Sequence, residues 1–323
     1  MKIKLFTHTD MDGLGCKFIL ENVYGVDNVD TTYNTYSNID SNIKVFLEDY
    51  IDRYDKIYIT DISMGEEVAK LVNKKFIDGY NIKLIDHHKT AEWLNTYSWC
   101  DVKSCDENEI PRSATYRVYK YFEEFFNEDG KPTIETIVRH IDDYDTWKWN
   151  SNGNIIAKEL NDLFYIIGFD RFTYMLNEIY NESKLHLTGR VENIFKIPKE
   201  YQLLLDLKKE EYDRYFKRIN RTIKTVIIKD YTIGLVFAEQ FVSELGNDLA
   251  NVYSDEYDFI LMVDLSKNTM SLRGCNGYDL SIISKEIGEK ISISCGGHKD
   301  ASGITLTGKF VNGIIDKIIK EMN

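Results

Sequence analysis

Three apolar runs near the N-terminus each stop abruptly at acids or imidazoles, and that repetition limits the architectures open to the chain. KLFTHTDMDG delivers His8, Asp10 and Asp12; KIYITDIS delivers Asp61; LIDHHKT delivers Asp86, His87 and His88 in succession. Between the runs the apolar spacing switches from the period of a strand to that of a helix, as in a parallel sheet with crossover helices. IKLF (3–6), residues 29–36, KIYIT (56–60) and IKLI (82–85) read as strands, and 13–23, 43–54 and 65–76 as helices. In an open α/β sheet the carboxyl ends of the strands face one crevice. The spacing therefore predicts that these side chains, distant in sequence, gather in one place.

From residue 113 helical patterns dominate, at 113–126, 133–142, 155–168 and 171–180, and predict a helical cap on the sheet. Pro198 precedes a segment, 199–224, in which apolar residues at helical spacing alternate with charges of both signs, the mark of a connecting helix and not of a basic patch. Strand patterns resume at 225–229, 232–238, 258–264 and 269–274, with helices expected at 241–253, 280–288 and 311–322. The expected organisation is α/β throughout: a catalytic domain at 1–185, a helical linker at 186–224 and a smaller α/β domain at 225–323. A length of 323 residues is enough for each domain to bury its own core.

Composition narrows the partners. A formal charge of −13 argues against electrostatic capture of long duplex nucleic acid, which relies on many cations neutralising phosphates. A hydrophobic fraction of 43% with only three prolines is globular. Five scattered cysteines without a CxxC pair fit a reducing cytoplasm. The N-terminal run turns polar by position 12, too soon for a signal peptide, and no stretch reaches the roughly 18 apolar residues of a membrane span.

Each cluster has a plain reading beside a chemical one. HTDMDG could be a calcium-type loop or a helix cap, with Gly13 relaxing the backbone at the helix start; adding His8 to the carboxylates suits manganese, iron or zinc better than calcium. Asp61, taken alone, reads as a helix cap. Adjacent His87 and His88 cannot face the same way, so one is free for metal and the other for substrate. HIDDYDTW places His140, Asp142, Asp143, Asp145 and Trp147 near a helix C-terminus, where acids oppose the macrodipole unless a cation compensates. A two-metal phosphoryl-transfer site needs about six ligands. His8, Asp10, Asp12, Asp61, His87 and Asp142 supply that number, with metal-activated water as nucleophile. Near the C-terminus, SLRG offers Arg273, and SCGGHKDASG offers Gly296 and Gly297 for close backbone approach to an anion and His298 as a phosphate donor, with Ala301 and Ser302 leading into a helix. Singly, these read as a turn and a surface strand residue.

Taken in order, HTDMDG, the Asp of ITDIS, Asp86-His87-His88, IDDYDTW, SLRG and CGGHKDASG resemble the DHH phosphoesterase superfamily, in its nanoRNase-like, oligoribonuclease and RecJ-related branch with a DHH-associated C-terminal domain. The resemblance spans residues 8 to 303. It implies an N-terminal parallel-sheet DHH domain and an active site in the interdomain cleft. It also implies two divalent cations, Mn²⁺ first with Mg²⁺ or Co²⁺ as substitutes. Their ligands would be His8, Asp10, Asp12, Asp61, His87 and Asp142, with Asp145 in reserve because Asp145-Thr146 is similar to the Asp-Thr of other branches. Asp61 would bridge, His88 would face the phosphate, Asp86 would orient the imidazoles, and Arg273, Gly296, Gly297 and His298 would hold the substrate. Asp300-Ala301-Ser302 departs from the family's frequent pair of alanines.

The implied activity is hydrolysis of short oligonucleotides to mononucleotides in the cytoplasm, with no long duplex or membrane as partner and homodimerisation left open. A cyclic dinucleotide or a nucleotide 3′,5′-bisphosphate is the alternative substrate. A nucleotide sensor without hydrolysis is a further alternative, against which the retention of every expected ligand speaks.

Overall fold

The computed structural model describes residues 1–126, 131–185, 195–297 and 299–306. His298 and the helix predicted at 311–322 lie outside the described residues. The chain divides into two compact units, Met1–Leu205 and a second beginning at Asp206.

In the first unit β1 (Ile3–His8), β2 (Val29–Asn34), β3 (Lys56–Thr60), β4 (Ile82–Asp86) and β5 (Cys100–Val102) form a parallel sheet in the order β2-β1-β3-β4-β5. The crossovers carry α1 (Met11–Tyr24), α2 (Ile39–Asp49) and α3 (Glu66–Ile77). Successive strand side chains point to opposite faces, and the cores follow that alternation. Ile3, Leu5 and Tyr58 pack with Leu14 and Phe18 of α1 on one face, while Phe6, Ile57 and Ile59 pack with Ile39 and Ile43 of α2 and Val68 of α3 on the other. Each fully buried side chain of this kind contributes about 1.5–3 kcal/mol. The sheet is thus covered on both faces, which is why its strands read as near-continuous apolar runs.

The predicted helical cap comprises α4 (Ala114–Phe122), α5 (Lys131–Asp145), the short α6 (Lys148–Asn152) and α7 (Ile155–Leu185); the apolar faces of α4, α5 and α7 join α1 in the first core. α7 breaks at Gly168 (φ 76°, ψ 173°), between the two helices expected there. α5 continues one turn beyond the predicted end at Asp142, since the Thr146 amide still donates to the Asp142 carbonyl. The left-handed Trp147 (φ 60°) ends the run.

α8 (Lys199–Asn220) begins in the first unit and ends in the second. There β6 (Lys224–Ile228), β7 (Tyr231–Phe237), β8 (Phe259–Asp264), β9 (Thr269–Gly274), β10 (Ser292–Gly297) and β11 (Ala301–Leu306) form a mixed sheet in the order β10-β11-β9-β8-β7-β6. Its helices are α9 (Val242–Val252) and α10 (Leu280–Ile291). Ala301 and Ser302 therefore open a strand, not the helix expected of them. ASGITL alternates in burial and pairs antiparallel with β9 and β10, so the small residues serve close strand packing.

Candidate metal centre and active site

The strand order reverses between β1 and β3, and a ligand crevice forms at such a switch point, beyond the strand carboxyl ends. His8 ends β1, Asp61 directly follows β3, and Asp86 ends β4, so the sheet delivers all three to that crevice. The turn after β1 is set by Asp10, which caps α1 by accepting from the Gly13 amide at 2.9 Å. Gly13 serves by absence of bulk and not by backbone freedom: a Cβ there would stand 2.4 Å from the His8 carbonyl oxygen. Asp12, 2% exposed, reaches α4 and accepts from the amides of Ala114 and Thr115 at 2.7 and 2.8 Å.

Two groups of donors result. His8 Nδ1 lies 2.6 Å from Asp10 Oδ2 and 3.9 Å from Asp61 Oδ2. His87 Nε2 lies 3.8 Å from Asp12 Oδ2, 3.3 Å from Asp61 Oδ1 and 3.6 Å from Asp145 Oδ2. Asp61 thus turns one oxygen to each group. It holds a left-handed backbone (φ 56°), which aspartate tolerates better than most residues, and such strain collects at functional sites.

Burial pushes the Asp61 carboxyl well above its usual range, and the charges of Asp12 and Asp10 push the same way; Asp145 is raised by burial and by Asp12 and Asp10. For Asp10, burial pushes upward, but the His8 hydrogen bond and charge and the Gly13 amide outweigh it and hold the carboxyl low. Asp61 Oδ2 and Asp145 Oδ2 are buried without a hydrogen-bond partner among the described residues. An unmet buried acceptor costs about 1–3 kcal/mol and more when charged. Oxygen and imidazole donors with orphaned, mutually repelling carboxylates fit a pair of divalent cations. His8/Asp10/Asp61 and Asp12/His87/Asp145 each bring three ligand atoms within 4.8 Å of one another.

Asp86 is fully buried and accepts from the His87 amide at 2.7 Å, from His88 Nδ1 at 2.8 Å and from the Ser63 hydroxyl. It thereby fixes the His88 ring, leaving Nε2 without a hydrogen-bond partner among the described residues. Burial lowers the His88 pKa, but the Asp86 hydrogen bond and charge outweigh it and raise it.

Asp142 is not brought into either group. Its carboxylate accepts from Arg112 at 2.9 Å, from Lys148 at 2.6 Å and from the Ser113 amide at 2.7 Å. Asp145, one turn further along α5, points to His87 instead. Asp143 accepts from Asn152 and Asn154, and His140 is a core histidine bonded to Asn154 at 2.9 Å, driven down to about 4 by burial.

In the second unit Arg273 pairs in register with Ala301, and Ser302 with Gly297, so Arg273 and the glycines reach the same end of that sheet. Burial lowers the Arg273 pKa, and its guanidinium donates to Ser243 Oγ at 3.2 Å and to the Leu272 carbonyl at 2.9 Å. Gly297 has no room for a side chain, a Cβ lying 2.5 Å from the Ala301 carbonyl oxygen, whereas Gly296 faces open space.

Sequence reasoning did not single out Arg112, Lys148, Ser63 or Tyr36. Tyr36 lies with its ring centroid 5.7 Å from that of His8 and 6.0 Å from that of His88. Its signal was its place just beyond the end of β2, at the same edge of the sheet; the other three carry no local signal.

No family model matches the chain. It is 32% identical over 308 residues to oligoribonuclease NrnB of Bacillus subtilis (strain 168), covering 94% of this chain and 72% of that protein. The chain belongs to the DHH phosphoesterase family. Membership makes it a metal-dependent phosphodiester hydrolase. The DHH fold is also seen in RecJ in complex with Mn²⁺ from Thermus thermophilus, with a TM-score of 0.58 at 10% identity over 98% of this chain and 51% of that one. The DHH domain of a member of the s1p family of ribosomal proteins gives a TM-score of 0.56 at 16% identity over 99% and 86%. In this DHH protein His8, Asp10, Asp12, Asp61, His87 and Asp145 cluster beyond the carboxyl ends of the parallel strands.

Proposed function

We propose that the protein hydrolyses short oligoribonucleotides to mononucleotides with two divalent cations, Mn²⁺ foremost. The observation that carries this reading is the meeting of two donor triplets at Asp61, one oxygen to each. His8 and Asp10 would hold one ion, Asp12, His87 and Asp145 the other, with Asp61 shared. When bound, such a pair supplies an activated water and neutralises charge on the phosphate oxygens. The chain's own residues do the rest. His88, steadied by Asp86, whose hydrogen bond and charge favour the protonated imidazole, donates from Nε2 to a phosphate oxygen as negative charge builds there. The carboxylates repel any second anion, so only a phosphate escorted by cations is accepted. Arg273 and the Gly296–Gly297 segment are proposed to bind the substrate's phosphates or bases.

The acidic balance of −13 supports a short substrate over a long strand. The 32% identity to an oligoribonuclease supports RNA fragments. Five free cysteines support a reducing, cytoplasmic setting, and no helix among the described residues is long and apolar enough to cross a membrane. Incubation with Mn²⁺ and a labelled dinucleotide, a cyclic dinucleotide, adenosine 3′,5′-bisphosphate and a long single strand tests the proposal. Cleavage of the dinucleotide first is expected. Degradation of the long strand while the three small substrates stay intact would overturn it.

A further inference from the structure

Beside His88, on the side of β2, lies a cavity of about 330 Å³ bounded by Tyr36, Met64, Trp93 and Asp40. Its size is at the lower end of small-molecule sites, which span roughly 300–1,000 Å³. It is suited to one small group and not to a folded strand. Its two large aromatic side chains are unusual for their position: Trp93 is 40% exposed and Tyr36 58% exposed, and neither belongs to the two cores of the sheet. A tryptophan left uncovered at the mouth of a cavity offers a flat apolar face. Tyr36 stands edge-on to His88, with 89° between ring planes, so the aromatic wall begins where the phosphate-facing imidazole ends. The polar side chains in the lining are Asp40, Ser63, Thr90 and His88, beside Tyr36. Asp40, one of the lining residues, is held in place by the Gly65 amide, which donates to its Oδ1 at 2.9 Å and leaves Oδ2 as a further acceptor, and Ser63 is committed to Asp86.

We propose that this cavity is a nucleobase subsite, in which Trp93 and Tyr36 take the π-face of one base of the substrate and Asp40 accepts from an N–H on its edge. The inference rests on the oligonucleotide reading and adds to it where one nucleoside goes. Every base has a π-face, and stacking on an aromatic side chain tolerates all four while rejecting a bare phosphate ester. An acceptor at the edge then favours bases that present N–H groups. The subsite would make the enzyme depend on an intact base on one side of the scissile phosphate.

The test uses the full chain, a dinucleotide and its two singly abasic analogues, one lacking the 5′ base and one the 3′ base. Dissociation constants are measured with Mn²⁺ and hydrolysis-resistant forms of the three ligands, and KM with Mn²⁺ and the cleavable forms. Trp93→Ala is expected to weaken the intact dinucleotide roughly 10- to 100-fold. It should weaken one abasic analogue to the same extent and leave the other unchanged, because that analogue has already lost the base that stacks. Trp93→Phe should restore most of the affinity. An unchanged Kd for the dinucleotide, or equal weakening of both analogues, would overturn the subsite. Failure of the unmodified protein to cleave any dinucleotide would count against the proposed hydrolysis, and the Kd pattern would still decide the subsite on its own.

Discussion

Replacing Asp61 by asparagine is expected to stabilise the metal-free protein while abolishing its response to metal. Asp61 is 1% exposed, its Oδ2 lacks a partner among the described residues, and its ligand atom lies within 4.8 Å of that of Asp10. Two like charges at that separation repel by about 3–4 kcal/mol at an effective dielectric near 20. His8 offsets part of this, and burial, which raises the Asp61 pKa and favours its neutral form, offsets more. A net relief of about 1–2 kcal/mol remains. Asparagine keeps the shape, accepts a left-handed backbone, and can donate where the carboxylate only accepts. At about 2–4 °C per kcal/mol for a unit of this size, the melting midpoint in chelator should rise by roughly 2–8 °C. Saturating Mn²⁺ at about 100 times its Kd would add about 2.7 kcal/mol to the unmodified protein. It should add little to Asp61→Asn, which has lost the shared ligand. Differential scanning fluorimetry in chelator and in Mn²⁺ reads both effects. A variant that melts lower in chelator, or gains as much from Mn²⁺ as the parent, would refute the account of Asp61 as a strained bridge.

Asp145→Asn should lower bound Mn²⁺ measured by elemental analysis, whereas Asp142→Asn should keep the metal and lose about 2 kcal/mol of stability, because Lys148 loses its nearest carboxylate and Arg112 keeps only Asp106. His88→Asn should reduce kcat by about 10²–10³ with metal content unchanged, the loss typical of removing one donor to a developing oxyanion. His140 is held neutral with a pKa of about 4 against about 6.5 when unfolded, so the unfolded chain takes up the proton first as pH falls. Its contribution is intact above 6.5 and is lost through the window down to about 4, amounting to about 2 kcal/mol by pH 5. Urea midpoints should show that loss in the parent and not in His140→Gln.

The strand ends of the first sheet were legible because a buried parallel strand is a short apolar run, and an acid that stops it stands out. β5 was not, since the three residues Cys100–Val102 carry no measurable period. The β10–β11 hairpin escaped because its glycines and serines resemble a turn; only pairing with β9 makes them strands. The choice between Asp142 and Asp145 could not be read locally. Residues three apart share roughly one face of a helix, and what separates them is Arg112 and Lys148, brought to Asp142 by tertiary structure.

Asp12 has a structural duty beside the metal binding proposed for it. Its carboxylate anchors the start of α4, more than a hundred positions downstream, by the amides of Ala114 and Thr115. A lineage that gave up hydrolysis would still be under pressure to keep an acid there, or see its helical layer come loose. Asp61, which caps no helix among the described residues and strains its own backbone, has no such protection. Among descendants of this fold, position 61 is therefore where abandonment of catalysis should first leave its trace.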